Sequence, residues 1–123
     1  MRALVIDDSR AIRVILGQIL KALKFEVHSA GHGLEALEKL KETGPVDLVL
    51  VDWNMPEMNG YEFVCAVRKD DQYNGMRLMM VTTETEMAQV VKALEAGADE
   101  YVMKPFTKEM IVEKLTIMGL PVE

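Results

Sequence analysis

Four short stretches of the chain carry residues able to do chemistry together. Asp7-Asp8 follows the apolar run Ala3-Leu4-Val5-Ile6, and Asp52 follows Val49-Leu50-Val51. Thr82 closes Leu78–Val81, and Lys104 comes directly after Val102-Met103. A carboxylate at the edge of an apolar run is costly unless something uses it. Three carboxylates brought together repel, and at neutral pH they stay ionised only with a cation between them. Oxygen ligands of this kind, few and open to water, suit Mg²⁺. Such a site would neutralise charge on an incoming phosphoryl group and leave one carboxylate to act as nucleophile. A hydroxyl and an ammonium nearby are the remaining parts of a phosphoryl-accepting site.

Each residue also has a plainer use. Asp8 or Ser9 can cap a helix, Asp52 can hold the turn before Pro56, and a lysine at a strand end is commonly just solvated. Only convergence argues for chemistry, so the elements that position these residues decide the matter. Short apolar runs at Ala3–Ile6, Phe25–Ser29, Val46–Val51, Leu78–Thr82 and Glu100–Met103 predict strands. Amphipathic stretches separate them. The first repeats Ile12, Ile15, Leu16, Ile19, Leu20 and Leu23 at helical spacing, and the second repeats Leu34, Leu37 and Leu40. Further stretches carry Phe63, Val64 and Val67, then Met87, Val90, Val91 and Leu94, then Met110, Ile111 and Leu115. Gly44-Pro45, Asn74-Gly75 and Ala96-Gly97 are expected helix ends.

Five strand–helix units in this rhythm predict an α/β fold, a (βα)5 doubly wound parallel sheet. Runs one, three and four are apolar almost throughout, as central parallel strands must be. Runs two and five mix in Glu26, His28, Glu100 and Tyr101, which places them at the edges. The order 2-1-3-4-5 satisfies this with right-handed crossovers. Its switch point lies between strands one and three, where ligands bind beyond the carboxyl ends. Asp7, Asp8 and Asp52 then meet in one crevice, with Thr82 and Lys104 on adjacent strand ends.

Composition excludes other classes. The 123 residues fit a single domain, 1–123, with half the residues hydrophobic. A net charge of −6 argues against nucleic acid, whose backbone needs clustered Lys and Arg. Cys65 is the only cysteine, so no internal disulfide forms and a reducing, cytoplasmic location is expected. No apolar run approaches the roughly 20 residues of a membrane span.

The set Asp7-Asp8, Asp52, Thr82 and Lys104-Pro105-Phe106 resembles the receiver domain of two-component response regulators, across the whole chain. "DWNMP", "VTTE" and "EYVMKPF" are most similar to the CheY-like single-domain type. The resemblance implies a flavodoxin-like fold and a phosphoryl group passed to Asp52 from a histidine kinase or phosphotransfer protein. It also implies Mg²⁺ bound by the side chains of Asp8 and Asp52, by the Asn54 carbonyl, and by Asp7 through water. Thr82 and Lys104 would contact phosphate oxygens, Tyr101 would act with Thr82 as a switch, and the Lys104–Pro105 bond would be cis. Output is expected through Met87, Val90, Leu94, Tyr101, Met103 and Lys114, toward a target such as a flagellar motor switch protein. Asn54 and Glu84 match the CheY type, while Thr83 is bulkier than the Ala or Gly common there.

The expected protein is a switch that acts only on its own phosphorylation, and not a turnover enzyme. A phosphoaspartyl phosphatase would want a second acid two residues after Asp52, where Asn54 stands. A phosphorelay receiver and a fragment of a larger regulator are the other readings. His28 and His32 share no helical face, Gly31-His32-Gly33 lacks the third glycine of a dinucleotide loop, and Cys65 and the ten methionines read as core. Trp53 is expected to cover the acidic crevice or to pack on the surface.

Overall fold

The computed structural model describes residues 1–83 and 87–120. Strands β1 (Arg2–Ile6), β2 (Glu26–Ala30), β3 (Leu48–Val51), β4 (Arg77–Thr82) and β5 (Glu100–Met103) alternate with helices α1 (Arg10–Ala22), α2 (Gly33–Thr43), α3 (Gly60–Arg68), α4 (Met87–Ala96) and α5 (Lys108–Ile117). The five strands form one parallel sheet in the order β2-β1-β3-β4-β5, as expected. Alternation along each strand splits the core in two. Leu4, Ile6, Val49, Val51, Leu78 and Met80 pack with Leu40, Phe63, Val67 and Ala93 from α2, α3 and α4. Ala3, Val5, Leu48, Leu50, Met79 and Val81 pack with Leu16, Leu20, Ile111 and Leu115 from α1 and α5. With both faces covered, the central strands must be apolar throughout, which is why those runs show no alternation.

Several expected boundaries and faces differ. β3 begins at Leu48, because Asp47 just before it is engaged with Arg2, whose backbone N–H donates to the Asp47 carboxylate at 2.8 Å. α3 ends at Arg68, well short of Asn74-Gly75, and a 3-10 turn over Asp71–Tyr73 follows, capped by Asp70. In α2 the buried face is Gly33, Ala36 and Leu40, while Leu34 lies 43% exposed. Ile15 in α1 and Met110 in α5 are likewise exposed, so helical spacing overstated the width of each apolar face. Gly44 caps α2 with φ 76°, a left-handed conformation that glycine adopts without a Cβ clash.

At the end of the sheet away from the acids, Arg68 ties four segments together. Its Nε donates to the Gly97 carbonyl at 2.9 Å and its Nη1 to the Tyr73 carbonyl at 2.9 Å. Its Nη2 donates to the Met76 carbonyl at 2.8 Å and to Asp99 Oδ2 at 3.1 Å. Asp99 Oδ2 also accepts from the Leu78 N–H at 2.8 Å, so the pair fixes the start of β4. Arg68→Met keeps the aliphatic stem but leaves these acceptors without their donor, and is expected to cost about 2–4 kcal/mol. Urea unfolding checks this; a loss below about 0.5 kcal/mol would show that the knot carries no stability.

Candidate functional site

Four strand ends and their loops build the crevice. Parallel pairing sets Ile6 beside Val51, so the residues that follow, Asp7 and Asp52, emerge side by side. Thr82 pairs with Met103, which brings Lys104 to the same end of the sheet. The cap of α1 settles one ambiguity: the Ser9 side chain accepts from the Ile12 N–H at 3.3 Å. Asp8 is therefore not used as the cap, and it sits exposed at the crevice mouth.

Asp7 is 1% exposed and Asp52 5% exposed. One oxygen of Asp7 accepts from the Ser9 N–H at 2.8 Å, and the other takes Lys104 Nζ at 2.9 Å. Lys104 Nζ also lies 3.5 Å from Asp52 Oδ1. Carboxylate oxygens of Asp7, Asp8 and Asp52 all come within 4.8 Å of one another. Three carboxylates against one ammonium leave two negative charges in a largely dry site, a donor set that fits a hard divalent cation. Burial and then Asp7 push the Asp52 carboxyl up to about 6, against the pull of Lys104. Asn54 lies on the adjoining loop, exposed. The Lys104–Pro105 bond is cis.

Gly60 lies against the Asp52 backbone, a contact not foreseen from the sequence. A Cβ there would stand 2.2 Å from the Asp52 carbonyl oxygen, while the Gly60 N–H donates to the Trp53 carbonyl at 2.9 Å. Only glycine lets α3 begin so close to the Asp52 backbone. Asn59 and Glu62 close a reciprocal capping box at this helix start, a spacing that was visible in the sequence. Arg13 was also missed; its guanidinium donates to the Asp7 backbone carbonyl.

Beyond the crevice, Thr82 and Tyr101 line one small apolar void of about 10 Å³ with Trp53, Met80, Val90, Ala93 and Leu94. That void holds at most about one water, so Tyr101 enters only if its walls move. Tyr101 is half-buried, with Lys114 Nζ 4.9 Å from its ring centroid, and Lys114 also pairs with Glu100 at 3.2 Å. Met103 is half-buried beside it and Leu94 is 39% exposed. Val90, grouped above with the output surface, is instead buried against the void; the exposed apolar partner of Leu94 on α4 is Val91. The Met87 side chain and Glu84 lie outside the described residues. Trp53 is half-buried, stacked on Tyr61 at 5.8 Å between ring centroids, and Lys92 Nζ of α4 lies 4.4 Å from the Tyr61 centroid. Trp53 thus packs toward α3 and α4. Cys65 on α3 is half-exposed and not core. His32 caps α2, accepting from the Glu35 N–H at 3.2 Å, and His28 lies 3.3 Å from Glu26.

A parallel (βα)5 sheet with an acid pair, an acid, a hydroxyl and a lysine on its strand ends defines the receiver class, and the comparisons agree. Residues 3–116 match the family model described as the response regulator receiver domain, and the chain belongs to that family. It is 43% identical over 119 residues to the chemotaxis protein CheY1 of Helicobacter pylori, covering 96% of each chain. It is 45% identical over 116 residues to a CheY homolog of Campylobacter jejuni, covering 94% of this chain and 89% of that one. The structure of Vibrio cholerae CheY4 is similar with TM-score 0.87 at 36% identity, covering 94% of this chain and 96% of that one. No helix among the described residues is long and apolar enough to cross a membrane.

The raised Asp52 carboxyl has a measurable consequence in metal-free protein. The folded chain holds its proton up to about pH 6, whereas the unfolded chain loses it near 3.8. Stability from this group is complete below about pH 3.8 and is lost as pH rises through 6. Relative to wild type, Asp52→Asn is therefore expected to gain up to about 3 kcal/mol between pH 4 and 7.5. Urea unfolding of both proteins in EDTA across that range is the check. A difference that stays constant with pH would remove the claim.

Proposed function

We propose that this chain is a phosphorylation switch that receives a phosphoryl group on Asp52 from a histidine kinase or a phosphotransfer protein. The observation that supports this most is the buried Asp52 carboxylate, 3.5 Å from Lys104 and grouped with Asp7 and Asp8. An Asp52 oxygen attacks phosphorus, the P–N bond of a phosphohistidine breaks, and the leaving imidazole keeps the electron pair. Asp7, Asp8, Asp52 and the Asn54 carbonyl would hold Mg²⁺, which would supply charge neutralisation for the phosphoryl oxygens. Lys104 takes up one of those oxygens as its hold on Asp52 is relieved, and the Thr82 hydroxyl another. The chain acts on its own Asp52 and turns over no separate substrate; Asn54, where a second acid would be needed, supports this. Its likeness to CheY proteins favours a chemotaxis role in the cytoplasm, with a target such as a flagellar motor switch protein.

Incubation with acetyl phosphate should label the protein only with Mg²⁺ present. The label should be hydroxylamine-sensitive, lost in Asp52→Asn, and reduced in Asp8→Ala. Labelling that survives Asp52→Asn, or that needs no metal, would overturn the assignment.

Output leaves through α4, β5 and α5. Phosphorylation adds roughly −1.5 to −2 charges at one end of the sheet. As Thr82 turns toward them, the small void beside Tyr101 enlarges and the ring can move inward, shifting an existing equilibrium. The exposed face then includes Val91, Leu94, Met103 and Lys114, an apolar patch with a cation of the sort partners use. With beryllofluoride as phosphoryl mimic, NMR shifts from a target peptide should cluster on these elements, and Tyr101→Ala should abolish the affinity gain. Shifts on α2 and α3, or an unchanged gain, would refute this route.

A further inference from the structure

At the opposite edge of the sheet, charge is distributed against the trend of the chain. Residues 9–25 carry Arg10, Arg13, Lys21 and Lys24 and no acid, although the whole chain has 14 Lys and Arg against 20 Asp and Glu. None of these four cations forms an ion pair among the described residues. Three of them, Arg10, Arg13 and Lys21, border an open groove of about 380 Å³ between α1 and β2, with Val27 and Ser29 opposite. Gly17 forms part of its floor; a Cβ there would meet only Val27, at 3.8 Å, so the missing side chain leaves room. No acidic side chain lines it.

We propose that this groove docks an extended acidic segment of a partner protein, added as a sixth strand beside β2. Three observations select that occupant. β2 is an outermost strand, so its outer backbone groups face no neighbouring strand of the sheet. Arg10 and Lys21 lie eleven residues apart on one helix, roughly 16 Å at 1.5 Å per residue, too far to converge on one small anion. The same span is about five residues of strand at roughly 3.3 Å each. Strand addition supplies main-chain hydrogen bonds, and alternate side chains carry the specificity. The side chains turned toward α1 would be an acid facing Arg10 and Arg13, an apolar residue over Gly17 and Val14, and an acid facing Lys21. The recognised pattern is acid–x–apolar–x–acid. This goes beyond the receiver reading, involves no phosphoryl transfer, and leaves the α4–β5–α5 face free, so two partners can be held at once.

The test is an NMR titration of the 123-residue chain with the peptide Thr-Glu-Thr-Val-Thr-Glu-Thr at low salt. Amides of Val27 and Ser29 and of α1 should shift together, with slowed exchange in β2. Arg10→Glu combined with Lys21→Glu should weaken binding at least tenfold, and Gly17→Leu should block it. Lys41→Glu, the same kind of reversal on α2, should have little effect beyond net charge. A scrambled peptide with adjacent acids should bind much more weakly. Shifts confined to the exposed Val14 and Ile15 without β2 would indicate a helical occupant and overturn the proposal. Equal binding of the scrambled peptide, or full competition by inorganic pyrophosphate, would overturn it in favour of a non-specific or small-anion site. Circular dichroism confirms that each variant is folded before its affinity is scored.

Discussion

Asp7 and Asp52 are buried carboxylates that share a single ammonium, and most of the architecture follows from having to keep them there. Lys104 sits 2.9 Å from Asp7 and 3.5 Å from Asp52, yet the Asp52 carboxyl is still pushed up to about 6. One cation does not balance three acids in a dry site. The imbalance favours a divalent cation, whose charge would relieve repulsion already built into the fold.

The scaffold holds this arrangement by removing freedom around it. Parallel register puts Asp7 and Asp52 side by side, and Ser9 takes the helix cap so that Asp8 remains at the mouth. Gly60 lets α3 start against the Asp52 carbonyl. At the far end, Arg68 joins α3, the 3-10 turn and the ends of β4 and α4 through one planar guanidinium. The acidic end can therefore stay electrostatically strained while the other end is tied down by well-formed hydrogen bonds.

Between the crevice and α4 the packing is less complete. A void of about 10 Å³ lies among Thr82, Tyr101, Trp53 and α4 side chains, too small to admit a ring. Any motion of Tyr101 inward would therefore have to displace α4 or Thr82. The stack of Trp53 on Tyr61, with Lys92 of α4 over the Tyr61 ring, joins the loop after Asp52 to that same helix.

Apolar runs, the polar residues in runs two and five and right-handed crossovers were enough for the five strands, their order and the acid crevice, because central parallel strands leave little room for polar residues and strand ends are where the exceptions fall. The readings of Asp7, Asp52, Thr82 and Lys104 as neighbours depended only on that topology. Spacing could not say which helix faces were buried: Leu34 and Ile15 fit the pattern yet lie in solvent, and Val90 fits an output surface yet is core. Helical spacing gives a direction around the axis, whereas burial depends on how far the neighbouring element reaches. Arg68, Gly60 and Arg13 were illegible for a related reason, since their partners are backbone carbonyls, which carry no sequence signal. The basic groove beside β2 needed both: the sequence supplied the run of cations, and only the packing of α1 against an edge strand turned it into a surface.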